Sequence, residues 1–235
     1  MSRVRPHTDG CAAAHTLDLV GERWALLVAR ELMVGPRRFT DLRAGIPDIS
    51  PNVLGQRLKE LEGIGVLRRR KLPPPAASHV YELTDWGYEL EPVLQSLGRW
   101  GSRSPTMPHD GELSLSSFIL AMRTMFSPEA AKGLKATYQL ILGEERFYVK
   151  VGGGRFEIEA GEIKNPDATI SVADHMSLVD VVFNDRSLAQ AELSGDLEAE
   201  GNKRAVARFV ELFPLPDTVS PAELDSPDER VTAKA

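Results

Sequence analysis

Apolar residues in the first part of the chain recur every three or four positions, which is the period of an α-helix. They predict a long helix that ends before Gly35-Pro36 and buries one face, made of Leu17, Val20, Trp24, Leu27, Val28 and Leu32. A short helix that carries Leu42 follows, and Thr40 is placed to cap it. Ser50-Pro51 predicts the start of a third helix, because a serine N-cap accepts a backbone hydrogen bond and proline at the first helical position loses none.

The third helix is amphipathic. Its apolar stripe consists of Val53, Leu54, Leu58 and Leu61, and its polar face shows Asn52, Gln56, Arg57 and Lys59. Gly63 or Gly65 closes it. Two short runs at 66–72 and 80–83, joined by a proline-rich loop, then predict a β-ribbon. Thr84 caps one more helix, which has more apolar positions than a terminal helix needs: Tyr88, Leu90, Val93, Leu94, Leu97 and Trp100.

A segment rich in proline and glycine, 101–111, has the composition of a linker and is followed by a second pattern. A helix there carries the apolar face Leu115, Phe118, Ile119, Met122, Met125 and Phe126. The period then changes to two, which indicates strands. The remaining predicted elements are a hairpin turning at 143–146, strands at 155–159 and 168–172, helices opening at Asp174, around Leu188 and from Asn202, and a strand at 195–200. We therefore expect an α+β domain with a curved antiparallel sheet.

Charge is distributed unevenly along the chain. The formal net charge of −6 at first argues against nucleic acid as a partner. However, residues 1–105 hold 15 Lys or Arg against 12 Asp or Glu, whereas residues 106–235 hold 13 against 22. This asymmetry predicts two domains with different partners, which we place at 10–101 and 113–214, followed by a disordered acidic tail at 215–235.

Composition argues against several other classes of protein. No apolar run approaches the roughly 18–20 residues of a membrane span, and the N-terminus lacks the apolar segment of a signal peptide. Cys11 is the single cysteine, so no internal disulfide framework forms. We therefore expect a cytoplasmic protein without membrane contact. Apart from Cys11 and His15, no adjacent nucleophile and base, carboxylate dyad or phosphate-binding glycine loop is visible, so we expect neither an enzyme nor a cofactor.

The order of helix, short helix, helix, strand, basic loop and strand is that of a winged helix-turn-helix, mostly α with a β-ribbon wing. The second helix of the turn enters the major groove by its N-terminal end. Asn52 and Gln56 lie one turn apart there, and each can make paired hydrogen bonds to adenine. Arg57 can reach guanine or phosphate. The candidate DNA-binding residues are Arg37, Arg38, Thr40, Ser50, Asn52, Gln56, Arg57, Arg68, Arg70, Ser78 and His79. The alternative is an ordinary solvated helix face.

These motifs closely resemble the HxlR family of bacterial regulators. The resemblance rests on Leu17-Asp-Leu-Val-Gly-Glu-Arg-Trp24, Gly35-Pro-Arg-Arg-Phe-Thr-Asp-Leu42, Ile49-Ser-Pro-Asn-Val-Leu54, Gln56-Arg-Leu-Lys-Glu-Leu61 and Tyr81-Glu-Leu-Thr84. It implies a homodimer on operator DNA, with the terminal helices as the dimer interface and repression as the default. The apolar excess on the helix ending at Trp100 agrees independently with a dimer.

The second half resembles the sterol carrier protein type two domain, on the segments 165–172 and 193–202 together with Phe209. That resemblance implies a small apolar effector held between sheet and helices. Its candidate ligand-binding residues are Phe118, Met122, Met125, Phe126, Met176, Val179 and Phe183. The alternatives are that these side chains are plain core, and that the domain mediates oligomerisation or contacts with another protein. Asp196, Glu198 and Glu200 stand where basic residues are common in such domains.

The resemblance to the HxlR family implies that Cys11 is a candidate redox sensor, since several regulators that look like this sense oxidants through a cysteine near this point. A helix N-terminus with His15 one turn later would supply part of the lowered thiol pKa that reactivity requires. A small buried apolar residue is the alternative. His7, Cys11 and His15 share a spacing of four, but Pro6 and Gly10 oppose a continuous helix and a fourth ligand is lacking, so we predict no metal.

Overall fold

The computed structural model describes residues 10–73, 77–108 and 111–220. The helices of this part are α1 (Ala12–Val20), α2 (Ala25–Leu32), α3 (Phe39–Gly45), α4 (Pro51–Gly63), α5 (Asp85–Tyr88), α6 (Glu91–Gly101), α7 (Leu115–Met125), α8 (His175–Phe183), α9 (Leu188–Leu193) and α10 (Lys203–Val210). The strands are β1 (Leu67–Lys71), β2 (His79–Leu83), β3 (Ala136–Leu142), β4 (Glu145–Gly152), β5 (Arg155–Ala160), β6 (Ala168–Val172) and β7 (Leu197–Gly201).

The long helix expected before Gly35 is broken into α1 and α2. Gly21 lies directly against the carbonyl of Leu17, where a Cβ would overlap it, and Trp24 adopts a left-handed φ of 81°. The break also changes which face is buried, because Leu17 is 60% exposed rather than part of the core. The expectation of one continuous buried stripe was therefore wrong at Leu17.

The predicted cap of α4 is present, whereas the predicted cap of α3 is not. Ser50 caps α4 as predicted, its hydroxyl accepting a 3.3 Å hydrogen bond from the Val53 N–H. Thr40 does not cap α3, because the helix begins at Phe39, two residues earlier than a Thr40 cap requires, and Arg38 is its N-cap. The Arg38 N–H donates to the carboxylate of Asp41, the third residue of the helix.

The helix expected after Thr84 is divided in two. Thr84 caps α5 by accepting from the Gly87 N–H at 3.0 Å, and α6 begins only at Glu91. Pro92 accounts for the division, because it has no N–H to donate to the Tyr88 carbonyl and its ring would clash there. Both parts remain in the positions that the sequence predicted for one helix.

The second domain confirms the α+β class, but its sheet is mixed. The strand order is β5-β4-β3-β6-β7, and β3 pairs with β6 in parallel, where the sequence analysis expected antiparallel strands throughout. The reason is the connection after β5, which crosses back over the sheet instead of turning as a hairpin. The buried amide of Gln139 holds this crossover by donating to the Gly161 carbonyl and accepting from the Ile163 N–H.

Two hydrophobic cores form, and α7 contributes to both. Phe118, Ile119 and Met122 belong to the core of the second domain. Leu120, on the opposite side of the helix, is buried with the winged-helix core. Since α7 also packs against α2 and α6, the two domains are docked rather than joined only through the linker.

The beginning of the predicted tail runs back to the linker. The Val219 N–H donates to the Arg103 carbonyl at 2.9 Å, and Arg103 Nε donates to the Asp217 carbonyl. Residues 221–235, the greater part of the predicted disordered tail, lie outside the described residues. Among the described helices, no stretch is long and apolar enough to cross a bilayer.

Candidate nucleic-acid interface

Helix α4 separates an apolar face from a polar one. Leu54, Leu58 and Leu61 are buried, whereas Asn52, Gly55, Gln56 and Lys59 are exposed. A Cβ built at Gly55 meets nothing within 4 Å, so the middle of the polar face is open. Gln56 reaches along the helix and donates a 2.9 Å hydrogen bond to Glu60. The arrangement presents amide side chains near the helix N-terminus, as a recognition helix requires.

Arg57 is placed differently from its sequence neighbours. Its side chain is only 13% exposed and lies 2.6 Å from the Glu60 carboxylate and 3.6 Å from that of Glu22. The guanidinium thus faces the break between α1 and α2 rather than the open face. Lys59 occupies that face instead, one turn beyond Gln56. Lys59 follows Asn52 and Gln56 at helical spacing, and this spacing is the sequence signal that identifies it as a further candidate DNA contact.

The β-ribbon places two of its arginines on one acid. Arg68 and Arg70 both bind Glu82, at 2.7 and 2.8 Å, and keep exposed side chains. Hydrogen bonding to Arg70, and then to Arg68, holds the pKa of Glu82 below its usual value, although burial opposes this. The carboxylate therefore orients two cationic groups on the same side of the wing, as the alternation of a strand predicts.

The rest of the wing and turn is arranged as follows. His79 is exposed at the tip, paired across the ribbon with Lys71. Ser78 is partly buried, and its hydroxyl has no hydrogen-bond partner among the described residues. Ser50, Arg38 and Thr40 are exposed, so they remain accessible to phosphates.

Arg37 faces the second domain. Its guanidinium makes two hydrogen bonds to the Glu145 carboxylate, of 2.6 and 3.3 Å, and its side chain is 19% exposed. Its backbone pairs with Tyr81 on β2. The residue thus connects the entry of α3, the wing and the β3–β4 hairpin, which the sequence offered no means of foreseeing.

The seven residues expected to line an apolar ligand site lie in the second core, wholly or partly buried. Phe118 packs edge-to-face on Phe183, and Phe126 stacks on Phe156. A surface cavity of about 220 Å³ lined by Lys135, Asp167 and Arg204 does not touch them. Nor does a cavity of about 180 Å³ between the two domains.

Helix α6 leaves an apolar strip uncovered. Leu94 is buried and Gly98 approaches Thr124 of α7, so one face of α6 is packed. Val93, Leu97 and Trp100, on the other face, are 40%, 47% and 79% exposed. Positions separated by four and three residues share a helix face, so the three form one continuous strip.

Cys11 is exposed at the start of α1, as its N-cap residue. Hydrogen bonds from the backbone N–H groups of Ala14 and Ala13 lower the pKa of its thiol. The helix N-terminus therefore lowers the thiol pKa as expected, whereas His15 does not contribute to the shift. His7 lies outside the described residues.

Comparison with known proteins identifies the first domain. A profile of the HxlR-like helix-turn-helix family matches residues 19–108. The uncharacterized HTH-type transcriptional regulator YvaP of Bacillus subtilis is 37% identical over 86 residues, which are 37% of this chain and 80% of YvaP. The HTH-type transcriptional regulator YodB of the same organism is 39% identical over 86 residues, 37% of this chain and 77% of YodB.

The solved structure of reduced YodB from B. subtilis has 34% identity and a TM-score of 0.37, covering 43% of this chain and 98% of that one. The family match ends at residue 108, so the assignment rests on the winged-helix part. Because the sequence identity extends over most of YvaP and YodB, this chain belongs to the HxlR-like helix-turn-helix family of transcriptional regulators.

Proposed function

We propose that this protein represses transcription by binding operator DNA as a homodimer, and that α4 reads the DNA. The observation that carries this proposal is the exposed polar face of α4, where Asn52, Gln56 and Lys59 surround the open position at Gly55. Because glycine adds no side chain, the DNA can approach the helix closely at that point.

Each polar residue of this face has a distinct role. The side-chain amides of Asn52 and Gln56 match the donor and acceptor pair of adenine in the major groove. Lys59 contributes a charge to the adjoining phosphate backbone. Arg68 and Arg70, held together by Glu82, meet the neighbouring backbone from the wing.

The exposed strip on α6 supports a homodimer. Val93, Leu97 and Trp100 offer a second copy of this chain an apolar surface on a packed helix. A two-fold dimer uses the same patch on both protomers and sets two α4 helices about one turn of DNA apart. Repression follows the family resemblance.

Electrophoretic mobility shift with the DNA upstream of the gene tests the reading helix. We expect Asn52→Ala and Gln56→Ala each to weaken binding by about 5- to 150-fold, the value of one bidentate base contact. Asn184→Ala removes an exposed amide of the second domain that also bonds an acid four residues away, and this matched control should bind like the parent. If both α4 variants bind as tightly as Asn184→Ala, α4 does not read the DNA.

Oxidant sensing through Cys11 is a second candidate function, favoured by its exposure and lowered thiol pKa. Two Cys11 thiols from two protomers would join as one disulfide, while diamide takes up the two electrons and two protons. We expect diamide to change DNA affinity in the parent and not in Cys11→Ser. An unchanged affinity in the parent would dismiss this function.

A further inference from the structure

A cavity of about 180 Å³ lies where the two domains meet. Met33 and Val34 line it from the end of α2, and Phe147 and Ile158 line it from β4 and β5. Tyr88, Arg123 and Glu159 supply its polar lining. Both domains and α7 between them therefore contribute to one small, open pocket with an apolar and a polar side.

The size of the cavity limits its occupant. An apolar protein cavity of about 150 Å³ accepts benzene. A volume of about 180 Å³ accordingly fits one six-membered ring with a small substituent. The four apolar side chains suit the ring, and the polar group of the substituent must meet the polar lining.

The cationic group of the lining is already paired, whereas the anionic group has only a neutral partner. Arg123 donates to the Glu91 carboxylate at 3.2 Å and to the Ile158 carbonyl at 2.8 Å. Glu159 accepts a hydrogen bond from the Tyr148 hydroxyl. A carboxylate entering the cavity would meet Glu159 and find Arg123 already paired with Glu91. A neutral substituent avoids this cost.

Tyr88 provides the hydrogen bond for such a substituent. A phenol keeps its proton at neutral pH and can donate it, and partial burial raises the pKa of Tyr88 further. A hydroxyl or carbonyl oxygen on the ring is the complementary group.

We propose that this interdomain cavity binds a neutral single-ring molecule with one hydroxyl or carbonyl group, and that this molecule is the effector of the regulator. The regulatory part rests on the proposed DNA-binding function, whereas the binding part does not. The site is distinct from the second-domain core, where the sequence placed the ligand.

The cavity adjoins the ion pair that joins the domains. Met33 and Val34 shortly precede Arg37, and Glu145 lies two residues before Phe147 on β4. A ligand that touches both walls favours the docked arrangement in which Glu145 holds Arg37. In that arrangement Arg37 is turned away from the DNA-reading face, so the ligand should weaken DNA binding.

Ligand-observed NMR on the full chain tests the binding part, with benzyl alcohol as the probe. We expect saturable binding of benzyl alcohol, and binding of benzoate at least about tenfold weaker because its charge meets Glu159 and finds Arg123 already paired. Absence of saturable benzyl alcohol binding, or equal affinity for benzoate, would overturn the proposal.

Cavity-filling variants locate the site. Ala160→Trp at the exposed rim should abolish binding, whereas the same change on α10, Ala207→Trp, should leave it unchanged. Val34→Phe fills the cavity from the first domain and replaces Ala160→Trp as the test variant if Ala160→Trp fails to fold. Unchanged affinity in a folded filling variant would place the ligand elsewhere.

DNA binding is then measured with and without saturating benzyl alcohol. We expect at least about fivefold weaker DNA affinity in the parent and no effect in Ala160→Trp. Unchanged affinity despite NMR-detected binding would overturn the effector role. A parent that fails to bind DNA at all would instead overturn the proposed function and leave the cavity result standing.

Discussion

The Ser114 hydroxyl donates a 2.7 Å hydrogen bond to the Glu31 carboxylate across 83 positions of sequence. Glu31 lies on α2, and its side chain is only 5% exposed. Arg30 pairs with the same carboxylate at 2.8 Å. Ser114 is also the N-cap of α7. One buried acid therefore ties the helix that supports the turn to the first helix of the second domain.

Replacing Glu31 should destabilise the protein. Glu31→Ala leaves Arg30 and Ser114 without their carboxylate partner, and we expect a loss of about 1–3 kcal/mol in the free energy of unfolding. Urea denaturation measures it. Glu192→Ala, an exposed acid on α9, is the control; a loss no larger than in this control would contradict the role of Glu31.

Gly45 should tolerate no side chain, for the same reason. A Cβ built on it overlaps the Glu31 carboxylate, which its partners hold in place. We expect Gly45→Ala to cost about 1–3 kcal/mol of stability. Gly63→Ala, where a Cβ meets nothing within 4 Å, should be neutral or stabilising by up to about 1 kcal/mol. Thermal unfolding of the two variants measures this difference, and equal unfolding midpoints would refute the steric argument.

Releasing Arg37 should strengthen DNA binding. Glu145→Gln removes the charge that holds the guanidinium, and because Glu145 is 41% exposed we expect only about a two- to fivefold rise in DNA affinity. Fluorescence anisotropy at low salt measures it. Glu144→Gln, the adjacent exposed acid of the hairpin turn, removes the same charge and should have a smaller effect.

The wing should lose stability in acid through Glu82. Its pKa is lowered in the folded state, chiefly by the hydrogen bond from Arg70. Its contribution is therefore complete above the ordinary value of 4.5 and is lost as the pH falls through the lowered folded value. As the pH is lowered from 6, the free energy of unfolding should fall less steeply in Glu82→Gln than in the parent. A parallel fall in both proteins would show that Glu82 does not contribute.

The α6 strip should control the oligomeric state. Leu97→Glu places a charge in the middle of the apolar strip, so we expect a monomer by analytical ultracentrifugation where the parent is a dimer. Trp86→Glu, on an exposed aromatic of α5, is the control and should stay dimeric. A dimeric Leu97→Glu protein would place the interface elsewhere.

The features that local chemistry sets were predictable. Ser50 and Thr84 begin helices because their hydroxyls satisfy nearby N–H groups. The helical stripe of α4 and the period of two in the ribbon likewise follow from residues a few positions apart. These signals are short-ranged, so the sequence by itself determined the winged helix-turn-helix and the exposed polar face of α4.

The direction of individual charged groups depended on the tertiary structure. Arg37 turns to Glu145, 108 positions away, and Arg57 turns to Glu22 and Glu60 instead of the open face. The parallel pairing of β6 depends in the same way on Gln139, which holds a distant crossover. Such partners meet only after the chain has folded, because pairing between distant residues has no fixed spacing in sequence. The interdomain cavity also depends on the tertiary structure, because its lining comes from both domains.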